Sequence, residues 1–298
     1  MKIAYFPGCT LKSTARNFER SAMECARTLG VEMVELPRWN CCGVVSPLAT
    51  DDLFHHLAPI PNLIRVQEMR ERGELEDGSR VVALCSMCFN VLKRSNLLVR
   101  ENPAHLKTIN DFLYEEPDYD GTVEVVHLLQ VLKDVGFDRI KESVRKPLTD
   151  LRVVPSYGCM LLRPKEVGID NPEDASIQEE LLAALGADVV SSRYRMRCCG
   201  GYQTVRDREM VADTAFEILS RFRREGAEVV ATGCPLCAFN LDERQREVTE
   251  KHPDFPRMPV LYFTQLMAIA LGLGEEHCGF DLNSVDPRPL LREKGLLQ

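Results

Sequence analysis

The sequence predicts an α/β protein with two Rossmann-like domains, each built on a parallel sheet and related to the other by a pseudo-twofold axis. Two observations support this fold class: short apolar strands alternate with helical segments, and one cysteine pattern occurs twice in the same order. The pattern is C-x31-C-C-G-x41-C-x2-C in the first half and C-x38-C-C-G-x33-C-x2-C in the second. We therefore expect an N-terminal domain at residues 1–145 and a C-terminal domain at residues 146–298.

In the first half, apolar runs bounded by turn residues predict strands at residues 2–7, 31–36, 80–84 and 123–126. Helical spacing predicts helices at residues 18–29, 48–72, 85–100 and 128–135, and Pro59 and Pro61 should break the second of them. Cys9 follows the first strand and Cys85 follows the third. We therefore expect the cysteines near the carboxyl ends of the strands, where ligands bind in such sheets.

The second half repeats this order. Strands are predicted at residues 151–155, 187–191, 228–231 and 259–263, with helices at 175–185 and 203–224. The turn into the last helix of each half carries a glutamine, Gln130 or Gln265. Residues 141–149 are the expected linker, and the tail after Gly279 is expected to be only partly ordered.

Composition narrows the class of protein. Of the 298 residues, 45 % are apolar and 28 % charged, as in ordinary globular proteins, and the net charge of −8 argues against a nucleic-acid partner. The N-terminal stretch does not resemble a signal peptide, and no apolar run reaches the roughly 18 residues needed to span a bilayer. We expect a cytoplasmic protein, in which twelve reduced cysteines indicate metal binding rather than disulfides.

Five patterned cysteines in each half favour an iron–sulfur cluster. Tetrahedral zinc takes four ligands, so the fifth would be left over. Adjacent residues such as Cys41 and Cys42 point in different directions and can bind different irons of one cluster. Zinc or a structural role remains an alternative, and a thioredoxin-like role for a Cys-x-x-Cys pair leaves the other cysteines unexplained.

The two Cys-Cys-Gly modules resemble the CCG-domain family, and nearly the whole chain resembles the B subunits of cytoplasmic heterodisulfide reductases. The likeness is carried by Tyr157-Gly158-Cys159, Leu161-Leu162-Arg163-Pro164, Cys198-Cys199-Gly200-Gly201 and Cys234-Pro235-x-Cys237. It implies one noncubane [4Fe-4S] cluster per module. The implied ligands are Cys9, Cys41, Cys42, Cys85 and Cys88 for one cluster, and Cys159, Cys198, Cys199, Cys234 and Cys237 for the other.

The resemblance also implies a function. Such a protein would catalyse the two-electron reduction of a disulfide, either the coenzyme M–coenzyme B disulfide or a related one. The chain lacks a ferredoxin-type C-x2-C-x2-C-x3-C motif, so electrons would arrive from the ferredoxin-like C subunit of the same complex, which the flavin-containing A subunit supplies. Met160 departs from the histidine of the methanogen pattern, which puts the methanogenic substrate in question.

Two other functions stay open: a non-catalytic electron-transfer protein linking a flavin-containing partner to a dehydrogenase or reductase, and a metal-stabilised scaffold. Further candidate residues surround the cysteines. Arg163 and Arg195, with neighbouring basic residues, could bind an anionic substrate group, although a solvated basic face is the simpler interpretation. His55 and His56 could supply protons, with a surface role as the alternative. Cys25 is predicted to be a core residue, and Cys278 has no counterpart in the repeat.

Overall fold

Two four-stranded parallel sheets form the core, one in each half, in a computed structural model that describes residues 1–44 and 53–298. The first sheet has the order β2-β1-β3-β4 and the second has the order β6-β5-β7-β8. The strands are β1 Lys2–Phe6, β2 Glu32–Glu35, β3 Arg80–Ala83, β4 Glu124–His127, β5 Arg152–Ser156, β6 Asp188–Val189, β7 Val229–Thr232 and β8 Val260–Tyr262. The matching strand orders confirm the predicted α/β class and the twofold repeat.

Helices cover the sheets, which explains why the central strands are apolar on both faces. In the first half they are α1 Gly8–Leu11, α2 Arg16–Thr28, α3 Ile60–Glu71, α4 Ser86–Glu101, α5 Pro103–Phe112, α6 Leu128–Val135 and α7 Phe137–Ser143. A 3₁₀ turn, Leu53–His56, precedes α3. Helix α3 begins directly after Pro59, which is one of the two prolines predicted to break the helix there. The predicted start of this helix at residue 48 lies outside the described residues.

The helices of the second half are α8 Ile177–Ala184, α9 Gln203–Arg206, α10 Arg208–Arg224, α11 Pro235–Ala238, α12 Gln245–Lys251, α13 Phe263–Ala270 and α14 Arg288–Glu293. The predicted long helix at 203–224 is divided in two, because Asp207 caps α10 by accepting a hydrogen bond from the Met210 amide at 2.9 Å. The predicted strand at 187–191 shortens to two residues. Helices α5, α7 and α12 were not predicted.

The tail after Gly279 is ordered, contrary to expectation. Phe280, Leu291 and Leu296 are almost completely buried, and Asp242 accepts hydrogen bonds from the backbone amides that follow Asn283. The apolar side chains are spaced along short helical turns, so the tail packs against the rest of the protein rather than extending into solvent. The predicted division into domains at residue 145 stays a prediction.

The two halves are joined by helix packing and by buried polar contacts. Phe18 of α2 stacks on Tyr262 with ring centroids 4.2 Å apart, and the hydroxyls of Ser21 and Thr264 lie 2.7 Å apart. The predicted glutamine pair has one local role in both halves. Gln130 Oε1 and Gln265 Oε1 each accept a hydrogen bond from the backbone amide three residues earlier, at 3.0 and 2.9 Å, which caps α6 and α13.

Candidate metal centre

The first cysteine set gathers at the carboxyl ends of β1, β2 and β3. Cys9 lies in α1 immediately after β1, and Cys85 is the N-terminal cap residue of α4 immediately after β3. Cys41 and Cys42 lie in the loop after β2. The Sγ atoms of Cys9 and Cys41 are 3.8 Å apart, and those of Cys42 and Cys88 are 3.5 Å apart. All five cysteines of the first pattern are thus drawn to one edge of the sheet.

The second set repeats this geometry. The Sγ atoms of Cys159 and Cys198, the counterparts of Cys9 and Cys41, are again 3.8 Å apart. Cys199 and Cys237, the counterparts of Cys42 and Cys88, are buried and interact closely enough that Cys199 raises the pKa of Cys237. The repeated sequence pattern therefore corresponds to a repeated arrangement of thiols.

A glycine before the first cysteine of each set allows this close approach. Gly8 and Gly158 both have positive φ, +70° and +65°. A Cβ at Gly8 would lie 3.1 Å from Cys88 Sγ, and one at Gly158 would lie 2.9 Å from Cys237 Sγ. Only glycine combines this backbone conformation with so little space, so these two positions shape the thiol sets.

The two sets meet at the boundary between the halves. The thiols of Cys85 and Cys234, each at the strand-to-helix turn of its own half, interact closely enough to raise the pKa of Cys85 and lower that of Cys234. Beside them, Ser86 Oγ donates to the carbonyl oxygen of Gly233 at 2.8 Å. Cys9, Cys41 and Cys198 are exposed, so each set also reaches the surface away from this boundary.

Within each bonded pair of thiols, one cysteine has the lower pKa and is therefore the favoured thiolate. Hydrogen bonding, mainly from Cys41, holds the pKa of Cys42 well below its usual value, and hydrogen bonding, mainly from Cys159, does the same for Cys198. The pKa of Cys41 and that of Cys159 are raised in turn, mainly by these same bonds. Five thiolates in one set would repel one another, so their joint ionisation requires metal cations.

The donors fit a multi-iron group better than a single ion. In the described part of the chain, no three of the cysteine, histidine or acidic side chains converge as the ligands of one metal ion would. The thiols instead form close pairs spread over each strand edge, and sulfur-only donor sets favour iron–sulfur clusters. Ten cysteines in two sets of five therefore fit two clusters.

Arg163 and Arg195 occupy different environments. Arg163 is exposed, in the loop that follows Cys159. Arg195 is largely buried, with Nε 2.9 Å from Glu179 Oε1 and Nη2 3.2 Å from Asp174 Oδ1. Two carboxylates already neutralise the Arg195 guanidinium, and Tyr157 also donates a hydrogen bond to Glu179. The geometry therefore gives Arg195 a structural contact, while Arg163 keeps its side chain available to a ligand.

The two histidines also differ. His55 is half-buried in the 3₁₀ turn, whereas His56 is buried, with Nδ1 2.8 Å from Ser95 Oγ. The surface role considered for His56 is therefore wrong, because its side chain is buried. Cys25 is buried as expected and donates to the carbonyl oxygen of Thr264 at 3.5 Å. Cys278 is fully buried as well.

Sequence reasoning missed a pair of buried asparagines. A Phe-Asn dipeptide follows each Cys-x-x-Cys: Phe89-Asn90 directly, and Phe239-Asn240 after one additional residue, Ala238. The additional residue is accommodated by a π-helical turn, Phe239–Glu243. Asn240 Nδ2 donates to the carbonyl oxygens of Gly201 and Cys199 at 2.9 and 3.2 Å. The repeated dipeptide was a visible signal that could have identified both asparagines.

Tyr202 is a second residue that the pattern did not single out. It follows the Cys-Cys-Gly-Gly stretch of the second half, and its side chain is partly exposed. Burial, and then the nearby Cys85 and Cys42 thiols of the first set, raise the pKa of its phenol. The phenol of the second half is therefore within electrostatic range of the cysteines of the first.

Comparison with known families identifies the repeat. The family model described as the CCG cysteine-rich domain matches residues 3–93 and 153–242. These two segments contain all ten patterned cysteines.

Similar proteins align over most of the chain. The membrane anchor subunit of the 8-methylmenaquinol:fumarate reductase of Wolinella succinogenes is 31 % identical, over 97 % of this chain and 99 % of its own length. The B subunit of the ferredoxin/F420H2-dependent CoB-CoM heterodisulfide reductase of Methanosarcina acetivorans is 29 % identical over 95 % of this chain and 94 % of its own. A protein of Archaeoglobus profundus described as like the B subunit of heterodisulfide reductase is 26 % identical over 93 % and 92 %.

The fold also has a solved relative. A hypothetical protein from Helicobacter pylori superposes with a TM-score of 0.73 at 12 % identity, covering 95 % of this chain and 51 % of that one. At this identity the likeness shows the fold alone. Among the helices that the structure describes, none is both long and apolar enough to cross a bilayer.

Proposed function

Because this chain belongs to the CCG cysteine-rich domain family as one of its iron–sulfur subunits, we propose that it is the catalytic subunit of a heterodisulfide reductase-like complex. The substrate is a small disulfide, the coenzyme M–coenzyme B disulfide or a related one. The reaction RS–SR′ + 2 e⁻ + 2 H⁺ → RSH + R′SH breaks one S–S bond and consumes two electrons and two protons. The main support is the meeting of the two thiol sets at the turns of Cys85 and Cys234, which the hydrogen bond from Ser86 to Gly233 joins.

The ten patterned cysteines hold two noncubane [4Fe-4S] clusters in this proposal, five thiolates to each. When bound, the clusters supply single electrons and Lewis-acidic iron for the new thiolates. The hydrogen bond from Ser86 to Gly233 keeps the two inner turns together, so both sets face one substrate. Arg163, exposed in the loop after Cys159, is placed to hold an anionic group of that substrate.

Homologous chains are subunits of multi-subunit reductases, and we propose the same here. Electrons arrive from a ferredoxin-like C subunit, which a flavin-containing A subunit reduces. The exposed Cys9, Cys41 and Cys198 mark where the clusters come closest to the surface. We place the complex in the cytoplasm.

Metal analysis tests the site. Anaerobically purified protein should hold about eight irons and a similar amount of acid-labile sulfide per chain, the content of two [4Fe-4S] clusters. Cys42→Ser should lose about half of this iron, on the expectation of one cluster per set. Cys25→Ser, which changes a buried cysteine outside both sets, should retain it. Zinc in place of iron, or equal iron in both variants, would reject the proposed ligands.

A second function has its own observation: the Wolinella relative belongs to a fumarate reductase, not a disulfide reductase. The chain would then transfer electrons between a flavin-containing partner and another reductase without acting on a disulfide itself. Disulfide reduction by the isolated protein with a viologen donor separates the two functions. An EPR signal induced by thiols supports the catalytic role. Rapid cluster oxidation and reduction with neither disulfide turnover nor a thiol-induced signal supports the electron-transfer role.

A further inference from the structure

Asn90 of the first half contacts the cysteine loop of the second half. It lies in α4, two residues after Cys88, and is fully buried. Its Nδ2 donates to the carbonyl oxygen of Met160 at 2.8 Å and to that of Arg163 at 2.7 Å. Two acceptors fix the orientation of the amide, because only the nitrogen can donate.

Both carbonyls belong to the tight loop that begins at Cys159. Within it, the backbone amide of Arg163 donates to the carbonyl oxygen of Cys159 at 3.0 Å. Met160 and Cys159 also line a small cavity in the second thiol set, to which the first half contributes Ser86 and Met87. The first half therefore supplies both a wall of this cavity and the donor that holds its loop.

The corresponding asparagine of the second half does not reciprocate. Asn240 donates to Cys199 and Gly201 within its own half. Elsewhere, side chains of α2 also bond to the second half, as between the hydroxyls of Ser21 and Thr264, which lie 2.7 Å apart. Both asparagines thus support the second thiol set. The additional residue Ala238 and the π-helical turn shift Asn240 relative to Asn90, which explains the difference in direction.

We infer that Asn90 is a positioning residue through which the N-terminal half fixes the Cys159 loop and so shapes the second cysteine site. The two sites are therefore inequivalent, although their cysteine patterns match. The inference relies on the proposed function only in taking Cys159 as a cluster ligand. Loss of the Asn90 amide removes two buried hydrogen bonds at once and should release this loop selectively.

Alkylation of the metal-free, reduced protein tests the contact without the cluster. Cys159 and its counterpart Cys9 are labelled with iodoacetamide under native conditions, and their rates are compared by mass spectrometry. Asn90→Ala should raise the ratio of the Cys159 rate to the Cys9 rate at least several-fold. Asn90→Ser, which keeps one donor and disturbs packing less, should give an intermediate ratio.

Asn96→Ala is the matched control. Asn96 lies in the same helix, is also buried, and donates to the carbonyl oxygen of Val123 within its own half. It should lower stability like the Asn90 variants while leaving the labelling ratio unchanged. An unchanged ratio in both Asn90 variants, or an equal rise in Asn96→Ala, would overturn the inference.

EPR of protein that contains its iron–sulfur clusters gives a second test. EPR of Asn90→Ala should show altered g values or reduced occupancy for one cluster only, with the other signal as in the wild type. If the wild type holds no iron, the proposed function fails, yet the labelling ratio still decides the role of Asn90. If two clusters are present and both signals change equally, Asn90 is a general stabilising residue and the inference fails.

Discussion

Ser86 Oγ donates a hydrogen bond to the carbonyl oxygen of Gly233 at 2.8 Å, and this bond links the two turns that carry Cys85 and Cys234. Ser86 is fully buried, so the serine hydroxyl and the glycine carbonyl are both shielded from water. The bond joins residues of different halves that are far apart in the sequence, so the sequence alone does not predict it. The two thiol sets therefore share a defined boundary rather than lying on independent domains.

Replacing Ser86 should weaken this boundary. Ser86→Ala leaves the buried Gly233 carbonyl with one donor fewer, and we expect a loss of about 1–3 kcal/mol in the free energy of unfolding. Ser143→Ala removes an exposed hydroxyl that donates to Arg139 and should cost far less. Anaerobic urea denaturation of the two variants measures the difference. Equal losses would mean that the Ser86 bond is not a significant link.

Gly158→Ala should damage the second thiol set. An alanine there would combine a strained positive φ with a Cβ 2.9 Å from Cys237 Sγ. Gly73→Ala has a similar φ of +69° but no atom within 4 Å of the new Cβ, so it isolates the backbone penalty of about 1 kcal/mol. Iron per chain should fall by about half only in Gly158→Ala, on the expectation of one cluster per set. Full iron content in that variant would contradict the close packing.

The two arginines near the second set should respond differently. Arg163→Gln should raise KM for an anionic disulfide and leave Tm unchanged, because its side chain is exposed. Arg195→Gln should lower Tm by several degrees, since it removes the partner of the partly buried Glu179 carboxylate at a cost on the order of 2 kcal/mol. Steady-state kinetics and thermal denaturation of both variants provide the comparison. An unchanged KM in Arg163→Gln would remove that residue from the proposed substrate site.

Stability should fall with rising pH through Asp242. Burial and, to a smaller extent, the charge of Glu243 raise the pKa of this carboxyl to about 7, against the opposing effects of the Ser284 and Val285 amides and of Arg257. Because the unfolded value is about 3.9, the folded protein retains this proton over the interval between the two values. Its stabilising contribution is full below about pH 4 and is lost as the pH rises through 7.

Asp242→Asn should therefore flatten the pH dependence of Tm between about pH 4 and 7 relative to the wild type, because only in this interval does the folded wild type hold a proton that the unfolded chain has lost. The variant also loses one acceptor for the Ser284 and Val285 amides, so its Tm should be lower throughout. Glu243→Gln is the neighbouring control and should keep most of the wild-type slope, because burial, the main cause of the shift, remains. A wild-type slope in Asp242→Asn would show that another group titrates in this range.

The sequence by itself determined the repeat, the strand positions and the placement of the cysteines at strand ends. These predictions depend on the periodicity of apolar residues and on the spacing of the cysteines, and both can be read from one sequence. The long helix predicted across Asp207 failed because one capping carboxylate ends a helix that apolar spacing would continue. The packed tail was missed because its few apolar residues are buried only by tertiary contacts, which local periodicity does not show.

Only the tertiary structure decided how the two halves meet. The bond between Ser86 and Gly233, the reach of Asn90 to the Cys159 loop and the burial of Arg195 beside Glu179 all depend on how distant elements pack together. The physical reason is that a pseudo-twofold repeat specifies each half locally, whereas the contacts across its axis depend on residues in which the copies differ. At the position of Ser86 the second half has Pro235, and the additional residue Ala238 places Asn240 differently from its counterpart Asn90.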